Sequence, residues 1–111
     1  MTVSNIIKIL DLKVLSGNEL LDRAVTGGYA GDLLSDVLAN SKPGNLWITI
    51  QIHPNIIAVA SAKELAGIII ANGRKPEEET LKSAQEEKLP VITCNLFTYE
   101  LVGRLYEIGI R

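Results

Sequence analysis

The sequence predicts an α/β fold: a single domain over residues 1–111, with a parallel β-sheet and helices on both faces. Three observations predict it. The runs Leu46-Trp47-Ile48-Thr49-Ile50, Gly67-Ile68-Ile69-Ile70 and Pro90-Val91-Ile92-Thr93 are apolar almost throughout, as strands buried on both faces are. The segments between them carry apolar residues at the three- and four-residue spacing of a helix. Finally, the two patterns alternate along the chain, and such a rhythm means a parallel sheet with right-handed crossovers.

In chain order, Thr2 or Ser4 caps a short helix to about Leu10, with Ile6, Ile7 and Leu10 on its buried side. Lys13-Val14-Leu15 reads as a short strand and Ser16-Gly17-Asn18 as a turn. Leu20 to Val25 is expected to return as a strand, with Ala24, Val25 and Thr26 extended. Gly27 and Gly28 then make a turn almost free of side chains, and Asp32 caps the next helix. Leu33, Leu34, Val37 and Leu38 give that helix one apolar face, and Asn40, Pro43 and Gly44 end it. Pro54 suits the first position of a helix to about Glu64, because its missing N–H costs nothing there.

Asn72-Gly73 is the turn after the next strand. Pro76 opens a helix whose positive end carries Glu77, Glu78 and Glu79. Glu78 and Lys82 are spaced to pair across one turn, while Leu81 and Ala84 face inward. Phe97, Leu101, Leu105 and Ile108 form the stripe of the last helix, and Gly109 can close it.

Composition narrows the function. Hydrophobic residues make up 47% of the 111, enough for a packed core and against disorder. The net charge is −2 with no basic face, which argues against a nucleic-acid partner. One cysteine excludes an intrachain disulfide and a cysteine zinc cluster. The first residues lack a basic signal region, and the apolar stretch from Ile56 to Ala71 is broken by Lys63-Glu64. That stretch is also too short to span a bilayer, so a cytoplasmic protein without a membrane partner is expected.

Asp22-Arg23 and Thr26-Gly27-Gly28, followed by Gly31-Asp32-Leu33-Leu34-Ser35-Asp36-Val37, resemble the motif for which the DRTGG domain family is named. The resemblance extends over essentially the whole chain, with Ala66-Gly67-Ile68-Ile69 and Pro90-Val91-Ile92 in matching places. It implies likeness to the N-terminal, non-catalytic domain of HPr kinases. It also implies likeness to accessory regions of acetate-metabolism enzymes and of nucleotide-responsive CBS proteins. On that resemblance the expected function is a non-catalytic regulatory or protein-interaction module without a cofactor. It would be homodimeric and would sense a nucleotide or other phosphorylated small ligand for a metabolic enzyme system.

The residues themselves suggest where a ligand would sit. Ligands of open α/β sheets bind beyond the carboxyl ends of the strands. Thr26-Gly27-Gly28, Gln51 to Asn55, Asn72-Gly73-Arg74 and Cys94-Asn95 are expected to converge there. Glycine-turn amides beside a helix start attract anions, and Arg74 supplies a fork of donors. The expected ligand-binding residues are therefore Thr26, Gly27, Gly28, His53, Asn72 and Arg74, against the alternative that these residues only serve the turns. A small enzyme using His53, Arg74 and Cys94 in the same pocket is the competing reading.

Several chemistries are disfavoured. Gly27-Gly28-Tyr29-Ala30-Gly31 lacks dinucleotide spacing, and no G-x-x-x-x-G-K-[ST] is present to cradle a nucleotide triphosphate for a P-loop kinase. One histidine and one cysteine do not make a metal site. Asp22 and Arg23 are expected to be structural, holding the strand edge against the turn by an ion pair or by hydrogen bonds. Trp47 is expected in the core or, with Tyr99, Val102 and Tyr106, at a subunit interface.

Overall fold

Thr2 starts the first helix as its position suggests. Its hydroxyl accepts from the Asn5 amide while the Asn5 side chain accepts from the Thr2 amide, a reciprocal cap. The computed structural model describes all 111 residues. The elements are α1 (Val3–Leu10), β1 (Lys13–Ser16), β2 (Gly27–Ala30), α2 (Leu34–Asn40), β3 (Asn45–Thr49), α3 (Asn55–Ala62), β4 (Gly67–Ile70), α4 (Glu78–Glu86), β5 (Val91–Thr93) and α5 (Thr98–Glu107), with a 3-10 turn at Asn18–Leu20.

The five strands form one sheet in the order β1-β5-β4-β3-β2. β2 to β5 are parallel, and β1 alone runs antiparallel, along β5. Each strand deals its side chains alternately to two cores. Trp47, Ile68, Ile70 and Val91 meet Val37 of α2, Ile56 and Ala60 of α3 and Ala84 of α4 on one face. Leu46, Ile48, Ile69 and Ile92 meet Val3 and Ile6 of α1 and Leu101 and Leu105 of α5 on the other. No helix is long and apolar enough to cross a membrane.

The motif region folds differently from expectation. Leu20 to Val25 does not form a strand. Its carbonyls instead serve the exposed amides at the start of α1: Val3 N donates to Arg23 O and Ser4 N to Leu21 O. Only Ala24 touches a strand-like partner, in a single bridge to Thr2. Gly27 and Gly28 are strand, not turn, and neither has a positive φ. The C-terminal residues lie against them: a Cβ at Gly27 would stand 3.4 Å from the Arg111 carbonyl carbon, and one at Gly28 3.5 Å from Ile110 Cγ2. The strand is thus displaced toward Ala30, and the turn falls at Gly31 to Leu33.

Several side chains also differ. Trp47 is fully buried, with its indole N–H donating to Gly31 O at 2.8 Å, so it is unavailable to a partner. Phe97 precedes the first turn of α5 and is 72% exposed, not part of its buried stripe. Ala84 of α4 faces inward as expected, but its inward companion is Thr80, not Leu81, with the Thr80 hydroxyl donating to Ile52 O at 2.6 Å. Pro54 is one residue earlier than expected, at the cap of α3. The expected Glu78–Lys82 pair does not form, and Asp22 and Arg23 make no ion pair, since Arg104–Glu100 is the one ion pair in the protein; the Arg23 main chain instead accepts from Val3 N. Tyr29, on β2, donates its hydroxyl to Asp36. That hydrogen bond, then partial desolvation and the Asp36 charge, hold the phenol above its ordinary pKa.

Three helix ends, those of α3, α4 and α5, follow one device. After α5, Gly109 N donates to Tyr106 O and Ile110 N to Leu105 O, the paired closure of a left-handed cap. Helices α3 and α4 close the same way on Glu64 and Lys88, both at φ 55. The residue after each cap is a buried hydrophobe: Leu65, Leu89 and Ile110.

Candidate functional site

The connections leaving β4 and β5 diverge. The one after β4 leads to the face covered by α2, α3 and α4, whereas the one after β5 leads to the face covered by α1 and α5. Such a reversal opens a crevice at the strand ends, where open α/β sheets take ligands. Here the crevice has a volume of about 400 Å³. That lies within the roughly 300–1,000 Å³ of small-molecule sites. Gly73 and Arg74 line it from one loop, Thr93 to Leu96 from the other, and Leu10 to Lys13 from the side. Lys13 reaches this end because β1 runs antiparallel, placing it opposite Thr93.

Charge is concentrated in this cleft. Lys13, Arg74, Lys75 and Arg104 line it, with Asp11 as the only carboxylate. Arg104 is paired with Glu100 at 2.6 Å, and Lys13, Arg74 and Lys75 have no carboxylate within 4.0 Å. Three unpaired cations around one hollow stand out on a chain of net charge −2. Unpaired cations converging on a concave surface raise the local concentration of anions.

Arg74 is held in place by a relay across the sheet end. The Asp32 carboxylate does not cap α2; it accepts from Thr49 Oγ1 at 2.8 Å and from Ile50 N at 2.9 Å. Gln51 Nε2 adds a bond to Asp32 O at 3.0 Å. The loop so fixed offers Ile50 O to Arg74 Nη1 at 2.7 Å. The remaining guanidinium N–H groups are free to meet a ligand.

The residues expected at one site are divided between two ends of the sheet. Asn72 and Arg74 are in the β4–α4 connection at the carboxyl end. Thr26 and Gly27 are at the amino end of β2, where Thr26 Oγ1 donates to Pro43 O at 2.8 Å and accepts from Asn45 Nδ2 at 3.1 Å. Thr26 thus clamps the turn before β3. Gly28 borders an apolar groove between β2 and α5. His53 is exposed in the β3–α3 loop, outside the cleft, and its Nδ1 accepts from Asn55 N at 3.1 Å. Cys94 does line the cleft, its sulfur accepting from Leu96 N at 3.3 Å. No three His, Cys, Asp or Glu side chains come together to hold a metal. Sequence reasoning missed Lys13 and Arg104, because the pairing of β1 with β5 and the placement of α5 that bring them in have no local signal; it missed Lys75, although it adjoins Arg74, because the Lys75–Glu79 charge run reads as a solvated helix start.

The DRTGG domain model matches residues 5–108. The chain belongs to the DRTGG domain family. Among solved structures this DRTGG domain is similar to the CBS and DRTGG domains of the regulatory region of Clostridium perfringens pyrophosphatase, complexed with its activator, diadenosine tetraphosphate. The two share 16% identity with a TM-score of 0.70, a likeness of fold. The match covers 94% of this chain and 45% of the other. No curated protein matches the DRTGG domain described here.

Proposed function

We infer that this DRTGG domain is a non-catalytic regulatory module that binds a phosphorylated small ligand in the cleft between β4 and β5 and relays its presence to a metabolic enzyme system. The observation that carries this reading is the set of three unpaired cations at a topological switch point. The regulatory setting of the pyrophosphatase region, with its polyphosphate-bearing activator, supports the same ligand class. Catalysis is less well supported. Of the three groups considered for it, His53 is outside the cleft, and the Cys94 sulfur is turned onto its own loop.

A thermal-shift screen of the purified protein against nucleotides, acyl phosphates and inorganic phosphate tests this. A ligand at a hundredfold excess over Kd is expected to add about 2.7 kcal/mol, a rise in Tm upward of ~10 °C at this chain length. The rise should shrink with added salt, because the cations are exposed. A flat response to every anion in low salt overturns the reading.

The module is further proposed to act as a homodimer. β2 is an open sheet edge, whose unpaired main-chain groups invite a second strand. Beside it runs an apolar groove that includes Gly28, Val102 and Tyr106, with Tyr99 on the same helix 94% exposed. A two-fold copy is the commonest closed assembly. Sedimentation equilibrium at tens of micromolar should give twice the chain mass; a mass of 12.1 kDa excludes the dimer.

A further inference from the structure

A second depression lies beside the cationic cleft and shares two of its residues. It is lined by Leu10, Arg104, Glu107 and Ile108 and measures about 320 Å³. Leu10 and Arg104 also line the cleft, so the two hollows meet between α1 and α5. Their chemistry differs. The shelf offers aliphatic surface from Leu10 and Ile108, both half-buried and packed on the core beneath. Arg104 is fixed along its helix by Glu100, which accepts from Nε at 3.1 Å and from Nη2 at 2.6 Å. Glu107, three residues on, is exposed and pairs with no cation.

We propose that this shelf is a base subsite, and that the ligand is a nucleotide with its phosphates in the cleft and an amino-bearing base on the shelf. The proposal rests on the reading of the cleft as an anion site. A planar base stacks on an immobilised guanidinium and on aliphatic surface. The free Glu107 carboxylate accepts from an exocyclic amine such as that of adenine, and finds only a carbonyl at the matching position of uracil. The site therefore prefers adenine to uracil nucleotides.

Calorimetric titration of the whole chain in low-salt, metal-free buffer with ATP, UTP and inorganic tripolyphosphate tests it. ATP is expected to bind about tenfold tighter than either of the others, as one charge-assisted hydrogen bond allows. Glu107→Gln should bring the ATP-to-UTP ratio to within about twofold, while Arg74→Ala should weaken all three. Equal affinity for all three in the unaltered protein overturns the base subsite and leaves the cleft standing. A ratio unmoved by Glu107→Gln also overturns it. No binding of any of the three overturns the cleft and the subsite together.

Discussion

Gly17→Ala is expected to remove a large share of the stability of this domain, roughly 2–5 kcal/mol. Gly17 sits at φ 75, directly after β1, with its backbone pressed on the start of β5. A Cβ there would stand 2.3 Å from Pro90 N and 2.4 Å from the Leu89 carbonyl carbon. The left-handed conformation costs a non-glycine residue about 1–2 kcal/mol, and forced overlap in a packed region about 1–3 more. Backbone atoms cannot swing aside as a side-chain tip can. The nearby ladder would have to yield, and it is already irregular: Ser16 Oγ bridges Leu89 O and Val91 N across a register shift. Domains of this kind hold a total of about 5–15 kcal/mol, so the variant should unfold at a much lower denaturant midpoint. Gly103→Ala is the control. It lies mid-helix with nothing within 4 Å of its added Cβ, and should be neutral or stabilising by about 0.5–1 kcal/mol. Equal midpoints for the two variants would show that the Leu89–Pro90 backbone accommodates a Cβ at Gly17 without cost.

Arg74→Ala is expected to weaken binding of a phosphorylated ligand roughly ten- to hundredfold without a matching loss of fold. The arginine is exposed and carries no core area. One of its N–H groups is spent on Ile50 O, an exposed bond whose carbonyl is returned to water when it is lost, at a cost of about 1 kcal/mol. A charge-assisted bond from its free N–H groups to a phosphate would contribute about 1.5–3 kcal/mol, and each 1.4 kcal/mol is close to tenfold in affinity. Arg74→Lys keeps the charge but loses the fork, so an intermediate loss is expected. Titration with whichever anion the screen identifies, paired with a melting curve of the apo variant, separates the two effects. Affinity unchanged within twofold would place the ligand elsewhere. Amide shifts clustered around Tyr99 and Tyr106, with Asn72 to Arg74 silent, would then locate it on the β2–α5 side.

The amino-acid sequence by itself determined the α/β class, the core runs of β3, β4 and β5, a hydroxyl cap at Thr2 or Ser4 and the Gly109 stop. Each rests on residues within a few positions of one another: alternating apolar runs, a hydroxyl before a helix, a glycine after one. Family membership was also legible, from the Asp22–Gly28 and Gly31–Val37 segments. What those segments do was not. Gly27 and Gly28 suit a turn and a close-packed strand equally well, and they form a strand against which the C-terminal residues Ile110 and Arg111, far away in sequence, are packed. Asp32 is a good helix cap on local grounds, yet the Thr49 hydroxyl and Ile50 amide outbid α2 for its carboxylate. Glu64 and Lys88 take left-handed caps that local preference assigns to glycine, because Leu65 and Leu89 must turn into the core. The cationic cleft is the clearest case. Lys13, the adjoining Arg74 and Lys75, and Arg104 come from three distant parts of the chain. Only the antiparallel entry of β1 and the crossing of α5 to the opposite face bring them around one hollow, and both are long-range packing choices with no short-range signature.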